Sequence, residues 1–437
     1  MLNKLLEKIT TAFEKLPDHR KQSNATKYSI KDAALSAFIA FYLQFPSFRS
    51  YQKDAQRPNG LSQKNFQSIF GEHQTPSENQ MRNLLDPIKP ENVGNIFWTV
   101  YDYASKEKIL EPFKSVNGTM LIGMDGTQYH SSTSIHCQHC NTKQYGDTTH
   151  YSHNVIAPVL LSPEHEFVLP LEPEFIWPQD GSEKQDCEQN AIKRWILRNS
   201  NRFNPFSATI MGDDLHGHYP TCKLCLDHKL NFIFVCKPES HHALYQEIEL
   251  LSRIDAVSNF EKRVWNGRFH EIHRYRFAEA LPIRADAEPL RVNWCELTTI
   301  HEKTGEVLHR FSFITNFSLS QQSVPDIVAA GRARWKNENE SHNSLKNHGY
   351  HLEHNFGHGE LYLSMILLSL NLLSFLVHTL LSLSDALFHQ LRLELGARVT
   401  LFESLRSLFR FFIVHSWEYL LFFMAFRLGL EPSAQPP

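Results

Sequence analysis

Met120-Leu121-Ile122-Gly123-Met124-Asp125-Gly126-Thr127 is a short apolar run that breaks at an Asp-Gly pair. Four to eight apolar residues closed by a turn signal read as a buried strand, and Asp-Gly is a common way to leave one. A second run of the same form, Ala208-Thr209-Ile210-Met211-Gly212-Asp213, also ends in an aspartate. A third, Asn231-Phe232-Ile233-Phe234-Val235-Cys236, follows at once. Helices are expected near Lys184–Arg198 and Tyr219–His228, and further β-rich runs at Ser152–Leu161 and around Glu166–Leu171. Strands alternating with helices in this way predict a mixed α/β layer architecture. Asp125 and Asp213 then leave the C-terminal ends of their strands, where open α/β sheets place their sites.

Outward from this core the patterning changes on both sides. Residues 1 to 112 read as mainly helical, with a capping box at Ser29-Ile30-Lys31-Asp32 and a helix start in Thr75-Pro76-Ser77-Glu78. This region is either a helical DNA-binding unit or a packing cap. Between 257 and 320 strands are expected again, with Asn266-Gly267 as a tight two-residue hairpin turn. Ser323-Val324-Pro325-Asp326 reads as a capping box that starts a helix running to about Asn347. The organisation expected is a helical region over 1–112, a core over 113–256, a β insertion over 257–320, the second part of the core with its helix over 321–384, and a helical region over 385–437.

The chain has 437 residues, is 42% hydrophobic and 21% charged, and carries a net charge of −3. That is an ordinary globular composition, long enough for several cores. Without an overall basic excess, any nucleic-acid surface must be local. One candidate lies in residues 1–50, which hold eight Lys/Arg against four Asp/Glu. Another is the group Arg332, Arg334, Lys336 and Lys346. Both also read as solvated helix faces. No secretory signal opens the chain, and the seven cysteines read as reduced cytoplasmic thiols.

Leu361–Leu383 is apolar and long enough to cross a bilayer. Ser364, Asn371 and His378 recur along one face of it, and no basic cluster flanks it. A buried central helix is the expected reading, with a membrane span as the rival.

A third acid joins the two aspartates by helical phase. Gly331, Trp335, Glu338, His342 and Leu345 step by three or four residues and fall on one stripe, which is expected to face the core. Glu340 lies about 200° around the helix from Glu338 and faces elsewhere. A carboxylate brought against a core needs a metal or a cationic partner, and an ion pair with Arg334 is the simplest alternative. Two strand-end carboxylates and one helical carboxylate suit a pair of hard divalent ions, which clamp the attacking and leaving oxygens of a phosphodiester.

With these residues in place, the chain resembles the DDE transposases of bacterial insertion sequences. The resemblance rests on Asp125, Asp213 and Glu338, on Arg334 and Lys346 around the third acid, and on the β-rich stretch before that helix. It covers Thr119 to about Lys346. It implies a ribonuclease H-like core and a catalytic, metal-binding triad of Asp125, Asp213 and Glu338. It also implies Arg334 and Lys346 as DNA-contacting residues. Two Mg²⁺ ions (replaceable by Mn²⁺) would serve cleavage of transposon ends and their transfer to target DNA, with terminal inverted repeats and target DNA as partners. A homodimer in the DNA complex and a cytoplasmic, nucleoid-associated location follow from the same resemblance. Two positions depart from the family: Gly331 stands where a Tyr is frequent, and Lys346 follows Glu338 by eight residues instead of seven. A catalytically silent DNA-binding descendant is the alternative.

Cys137-x-x-Cys140 and Cys222-x-x-Cys225 together have the ligand count of a structural zinc site. Cys137 and Cys140 sit in a loop beside His136, His139, His150 and His153, but Cys222 and Cys225 fall on an expected helix, which favours partly buried free thiols over zinc. Residues 348–360 contain His348, His351, His354 and His358. These read as a polar loop near DNA or as a metal site.

Overall fold

The computed structural model describes residues 1–21, 26–178, 186–285 and 290–430. Its centre is a nine-stranded mixed sheet. Strands β1 (Met120–Gly123), β2 (Gly126–Ser132), β3 (Asn141–Tyr145), β4 (Thr148–Ile156), β5 (Val159–Leu161), β6 (Leu169–Pro170) and β7 (Glu174–Ile176) form its first half and a side sheet. Then come β8 (Ala208–Gly212), β9 (Asn231–Val235), β10 (Ser258–Trp265), β11 (His270–Pro282), β12 (Arg291–His301) and β13 (Val307–Thr315). The order across the main sheet is β10-β11-β12-β13-β9-β8-β1-β5-β6. Strands β1, β8 and β9 run parallel, while β5 and β13 flank them antiparallel.

Parallel strands in the middle of a sheet are covered on both faces, which is why β1, β8 and β9 are almost continuously apolar. The strands expected between 257 and 320 continue this same sheet through the β13–β9 pair. Their hairpin turn is longer than the two-residue loop expected. β10 ends at Trp265 and β11 begins at His270. The Asn266 Oδ1 accepts from the Arg268 and Phe269 amides at 2.9 and 3.0 Å, and Gly267 takes φ +94°. The asparagine therefore closes a four-residue turn with its side chain.

The run expected over Ser152–Leu161 splits between two sheets. β4 belongs to a separate four-stranded sheet with β2, β3 and β7, and β5 returns to the main one. The break is at 157–158, where Pro158 removes an amide from the ladder.

Helices α1 (Leu2–Phe13), α2 (Ile30–Tyr42), α3 (Phe48–Ala55), α4 (Leu61–Phe70), α5 (Glu78–Leu85) and α6 (Pro90–Lys106) precede the sheet. The Ser29 capping box forms, with Ser29 and Asp32 bonding reciprocally. Ser77 caps α5. Helices α7 (Glu188–Asn199), α8 (Tyr219–Asp227) and α9 (His242–Arg253) lie between the strands. The expected start of α7 at Lys184 lies outside the described residues.

After β13 come α10 (Val324–Ala333), a π-helical segment Asn337–His342, and α11 (Asn343–Asn347). The chain ends in α12 (Leu363–Ser384), α13 (Ala386–Glu394), α14 (Arg398–Phe411) and α15 (Trp417–Arg427). Helix α10 starts where expected, but Ser323 is in αR geometry with no capping bond. Its hydroxyl instead reaches the Ser318 carbonyl at 3.2 Å. Gly331 lets α10 lie against β13, since a Cβ there would come within 2.6 Å of the Phe313 ring.

Helix α12 is long and apolar enough to cross a membrane, with mean hydropathy 2.0, but 94% of that window is buried inside the protein. It packs against α2, α6, α13 and β6. Its polar stripe is spent internally: Asn371 Nδ2 donates to the Tyr350 carbonyl at 2.8 Å, and the Tyr350 hydroxyl pairs with His378 Nδ1 at 2.7 Å. Helix α2, nearly all buried, is part of the same core. The N-terminal helices are thus built into the packing around α12.

Candidate active site

Asp125 and Asp213 occupy matching places on adjacent parallel strands. Gly123 pairs with Met211 in the β1–β8 register, and the Met124 amide donates to the Met211 carbonyl at 2.8 Å. Each aspartate therefore stands two residues beyond a paired position, at the C-terminal edge of the sheet. Neighbouring strands lie about 4.8 Å apart, so the two carboxylates emerge side by side.

The segment after α10 brings in the third acid. Two consecutive residues anchor it to the sheet. Buried Lys336 donates through Nζ to the Ser162, Pro163 and His165 carbonyls at 2.6, 3.1 and 2.8 Å, beyond the end of β5. Asn337, fully buried, donates through Nδ2 to the Gly123 carbonyl at 3.0 Å, at the end of β1. Glu338 comes next and is exposed.

This corrects the expected stripe. Gly331, His342 and Leu345 are buried, but Glu338 is exposed and Trp335 is 46% exposed. The helix is interrupted at Arg334 and widens to π geometry from Asn337. An extra residue per turn breaks the 100° phase on which the stripe was counted. Glu338 is therefore exposed and not pressed into the core, and its charge reaches Asp125. Glu340 acts elsewhere: its charge bears on Lys336.

The electrostatics tie these groups together. Asp125 is pushed up to about 6, first by burial and then by the charges of Asp213 and Glu338, against the opposing Arg334 guanidinium and Gly126 amide. Arg334 thus sits within electrostatic reach of the acidic edge. No ion pair joins it to Glu338 among the described residues. Lys346 is engaged by Glu353 at 2.8 Å.

Three further residues belong to this site and carried no motif. Glu188, in the first turn of α7, packs its carboxylate against Gly126, where a side chain would collide with it. Burial raises its pKa, and the Asp125 and Asp213 charges raise it further. His342 Nδ1 lies 3.8 Å from Asp125 Oδ2, and His216 Nε2 lies 3.6 Å from Asp213 Oδ1. Burial lowers both imidazoles, His342 to about 4, so both are neutral near pH 7. The only advance signal for any of them was the position of His342 on the Glu338 helix.

Asp214, adjacent to Asp213, turns away into structure. It accepts from the Lys237 amide at 2.7 Å and from the Ser240 hydroxyl at 2.6 Å. One carboxylate of the Asp213-Asp214 pair is thus structural, and the other is presented to the site.

The expected grouping of cysteines is also corrected. Cys222 and Cys225 are buried on α8, and burial raises both thiols. Cys137 and Cys140 instead meet His153 of β4 and His358 from the loop before α12, with the four candidate ligand atoms all within 4.8 Å of one another. Of the four histidines in 348–360, only His358 joins this group. Comparison with protein-family models and with curated proteins finds no match.

Proposed function

We propose that this chain is a DDE-type transposase, an endonuclease and strand-transferase acting on DNA through a divalent-metal centre at Asp125, Asp213 and Glu338. The observation that carries this reading is the pairing of Asp125 and Asp213 at the C-terminal ends of adjacent parallel strands, with the Glu338 charge reaching Asp125. The strand order β6-β5-β1-β8-β9, antiparallel on one side of β1 and parallel on the other, supports a ribonuclease H-like core.

The donor set fits Mg²⁺ or Mn²⁺. Asp125 is held above its ordinary value by burial and by two neighbouring carboxylates, a cost that bound dications relieve. A pair of such ions supplies activation of the attacking oxygen and neutralisation of the leaving one.

The protein's own residues do the positioning. Lys336 and Asn337 fix the Glu338 segment to the ends of β5 and β1. Neutral His342 and His216 abut two of the carboxylates without neutralising them. Arg334, whose charge reaches Asp125, would meet a phosphate at the same edge, a contact that adds affinity but reads no sequence. The partners proposed are transposon ends and target DNA, handled by a homodimer in the cytoplasm.

The test is nicking of a supercoiled plasmid that carries the DNA flanking this coding region. Cleavage that requires Mg²⁺ or Mn²⁺ and is lost in Asp125→Ala is the expected result. Binding to that DNA without cleavage under either metal would instead favour a catalytically silent DNA-binding protein.

A further inference from the structure

Cys137 and Cys140 lie in the turn between β2 and β3, His153 on β4, and His358 just before α12. The first three belong to the side sheet. The fourth arrives from a segment 218 residues beyond Cys140. Cys140, His153 and His358 are buried, at 4, 1 and 8% exposure.

Their spacing matches a metal polyhedron. Cys137 Sγ and Cys140 Sγ lie 3.5 and 3.4 Å from His153 Nε2, and Cys140 Sγ lies 3.6 Å from His358 Nε2. A tetrahedron with metal–sulfur bonds of about 2.3 Å and metal–nitrogen bonds of about 2.0–2.1 Å has sulfur–nitrogen edges of about 3.5 Å. The Cys137-x-x-Cys140 turn is itself shaped for thiolates. The His139 amide points at Cys137 Sγ and the Cys137 amide at Cys140 Sγ, both at 3.4 Å. Such amide donors stabilise negative sulfur.

His358 is also held in place from behind. The Asp86 carboxylate accepts from the backbone amides of residues 360–363 at 3.0–3.1 Å. Arg82 Nε donates to the Phe356 carbonyl at 2.9 Å. The loop is thus fixed on both sides of His358, whose ring faces the sulfurs.

We propose that Cys137, Cys140, His153 and His358 form a closed, tetrahedral zinc site that staples the side sheet to the loop entering α12. Two thiolates and two neutral imidazoles balance the charge of the dication. Four protein ligands leave no open position for substrate, which marks a structural centre and not a catalytic one. The staple joins two segments that sequence separates widely, β2–β4 after Asp125 and the loop following the Glu338 helix. Its residues are distinct from Asp125, Asp213 and Glu338, so the assignment stands or falls independently of the function proposed above.

The test is the metal content of the full-length protein, purified without chelator and measured by inductively coupled plasma mass spectrometry. About one zinc per chain is expected. Cys137→Ser and His358→Ala should lose it, while Cys222→Ser keeps it. Because a ligand variant that fails to fold would be uninformative, the wild-type protein provides a second measurement. Co²⁺ exchanged into the site should give the d–d bands of a tetrahedral ion and a sulfur-to-cobalt charge-transfer band. In the zinc form Cys137 should resist iodoacetamide until a chelator is added, with exposed Cys187 alkylated throughout as the internal control. The assignment is overturned by wild-type protein that lacks stoichiometric metal and gives no cobalt–thiolate bands. It is overturned equally by a Cys137–Cys140 disulfide, seen as a mass lowered by both thiol hydrogens, or by zinc that survives in folded Cys137→Ser.

Discussion

The side-chain amide of Asn337 donates to the backbone carbonyl of Gly123 at 3.0 Å, and this bond joins the third acid's helix to the strand that delivers the first. Both groups are buried, so the bond has no competition from water. Asn337→Ala removes it and leaves the carbonyl without that partner, at a cost of about 1–3 kcal/mol. If the bond also sets the distance between Glu338 and Asp125, DNA cleavage per folded molecule falls in this variant while DNA binding holds. A drop in urea midpoint with unchanged cleavage would make Asn337 a packing residue only.

Asp125→Ala, Asp213→Ala and Glu338→Ala should each reduce Mg²⁺-dependent cleavage by about a hundredfold or more, since electrostatic stabilisation of transferring phosphoryl groups is of that order. Glu340→Ala should stay close to wild type, because Glu340 acts on Lys336. Reversed results for Glu338 and Glu340 would reassign the third ligand. The Asp125→Ala protein is also expected to be no less stable than wild type without metal, since the substitution relieves carboxylate repulsion.

Arg334 and Lys346 should behave differently. Arg334 bears on the acidic edge and makes no close ion pair among the described residues, whereas Lys346 is engaged by Glu353. Arg334→Gln is therefore expected to lower the salt dependence of DNA binding by about 0.9 in slope, measured with Ca²⁺. Lys346→Gln should do less, and Glu353→Gln, by releasing Lys346, should tighten binding. Equal slopes in wild type and Arg334→Gln would remove Arg334 from the phosphate path.

How much of this was legible in the sequence follows from what local pattern can encode. Strands β1, β8 and β9 could be read because parallel strands buried on both faces are continuous apolar runs ending at turn residues. Glu338 was singled out by helical phase, and that reason fails. Counting 100° per residue assumes an unbroken α-helix, and the π segment after Arg334 invalidates the count. The Cys137-x-x-Cys140 pair was visible, with His153 among the histidines near it, but its union with His358 was not. Likeness of spacing pointed to Cys222 and Cys225, whereas the fold supplies single histidines from β4 and from a loop far along the chain. Glu188 had no signal, because an acidic residue in the first turn of a helix is common for reasons of the helix dipole.

Glu188 offers a sharper test of the acidic edge than the triad does. Its carboxylate lies against Gly126 and shares the field of Asp125 and Asp213. As a fourth acid there, it would add to the proposed metal site or tune Asp125. Glu188→Gln should raise the Mg²⁺ concentration needed for half-maximal cleavage several-fold, with a smaller change at saturating Mg²⁺. A loss that saturating metal does not restore would mean Glu188 acts in the chemical step itself.

Glu72 bears on stability alone. Glu72 is buried in the helical layer, where its carboxylate accepts from the Ser36 and Tyr51 hydroxyls. Burial pushes it up to about 7 from its ordinary value of 4.5, with the Asp32 charge adding, although the hydrogen bonds to Ser36, Tyr51 and Thr75 oppose the rise. A raised folded-state pKa means that the folded protein holds a proton which the unfolded chain has released. The resulting contribution is fully present below pH 4.5 and is lost as pH rises towards 7. Glu72→Gln, neutral at every pH and still able to accept from Ser36, escapes that loss. At pH 8 it should therefore be more stable than wild type by on the order of 2–3 kcal/mol, with the advantage shrinking towards pH 4.5. Urea denaturation of both proteins across this range decides the matter: stability curves that run parallel would mean that Glu72 is charged in the folded protein and that its two hydroxyl donors outweigh its burial.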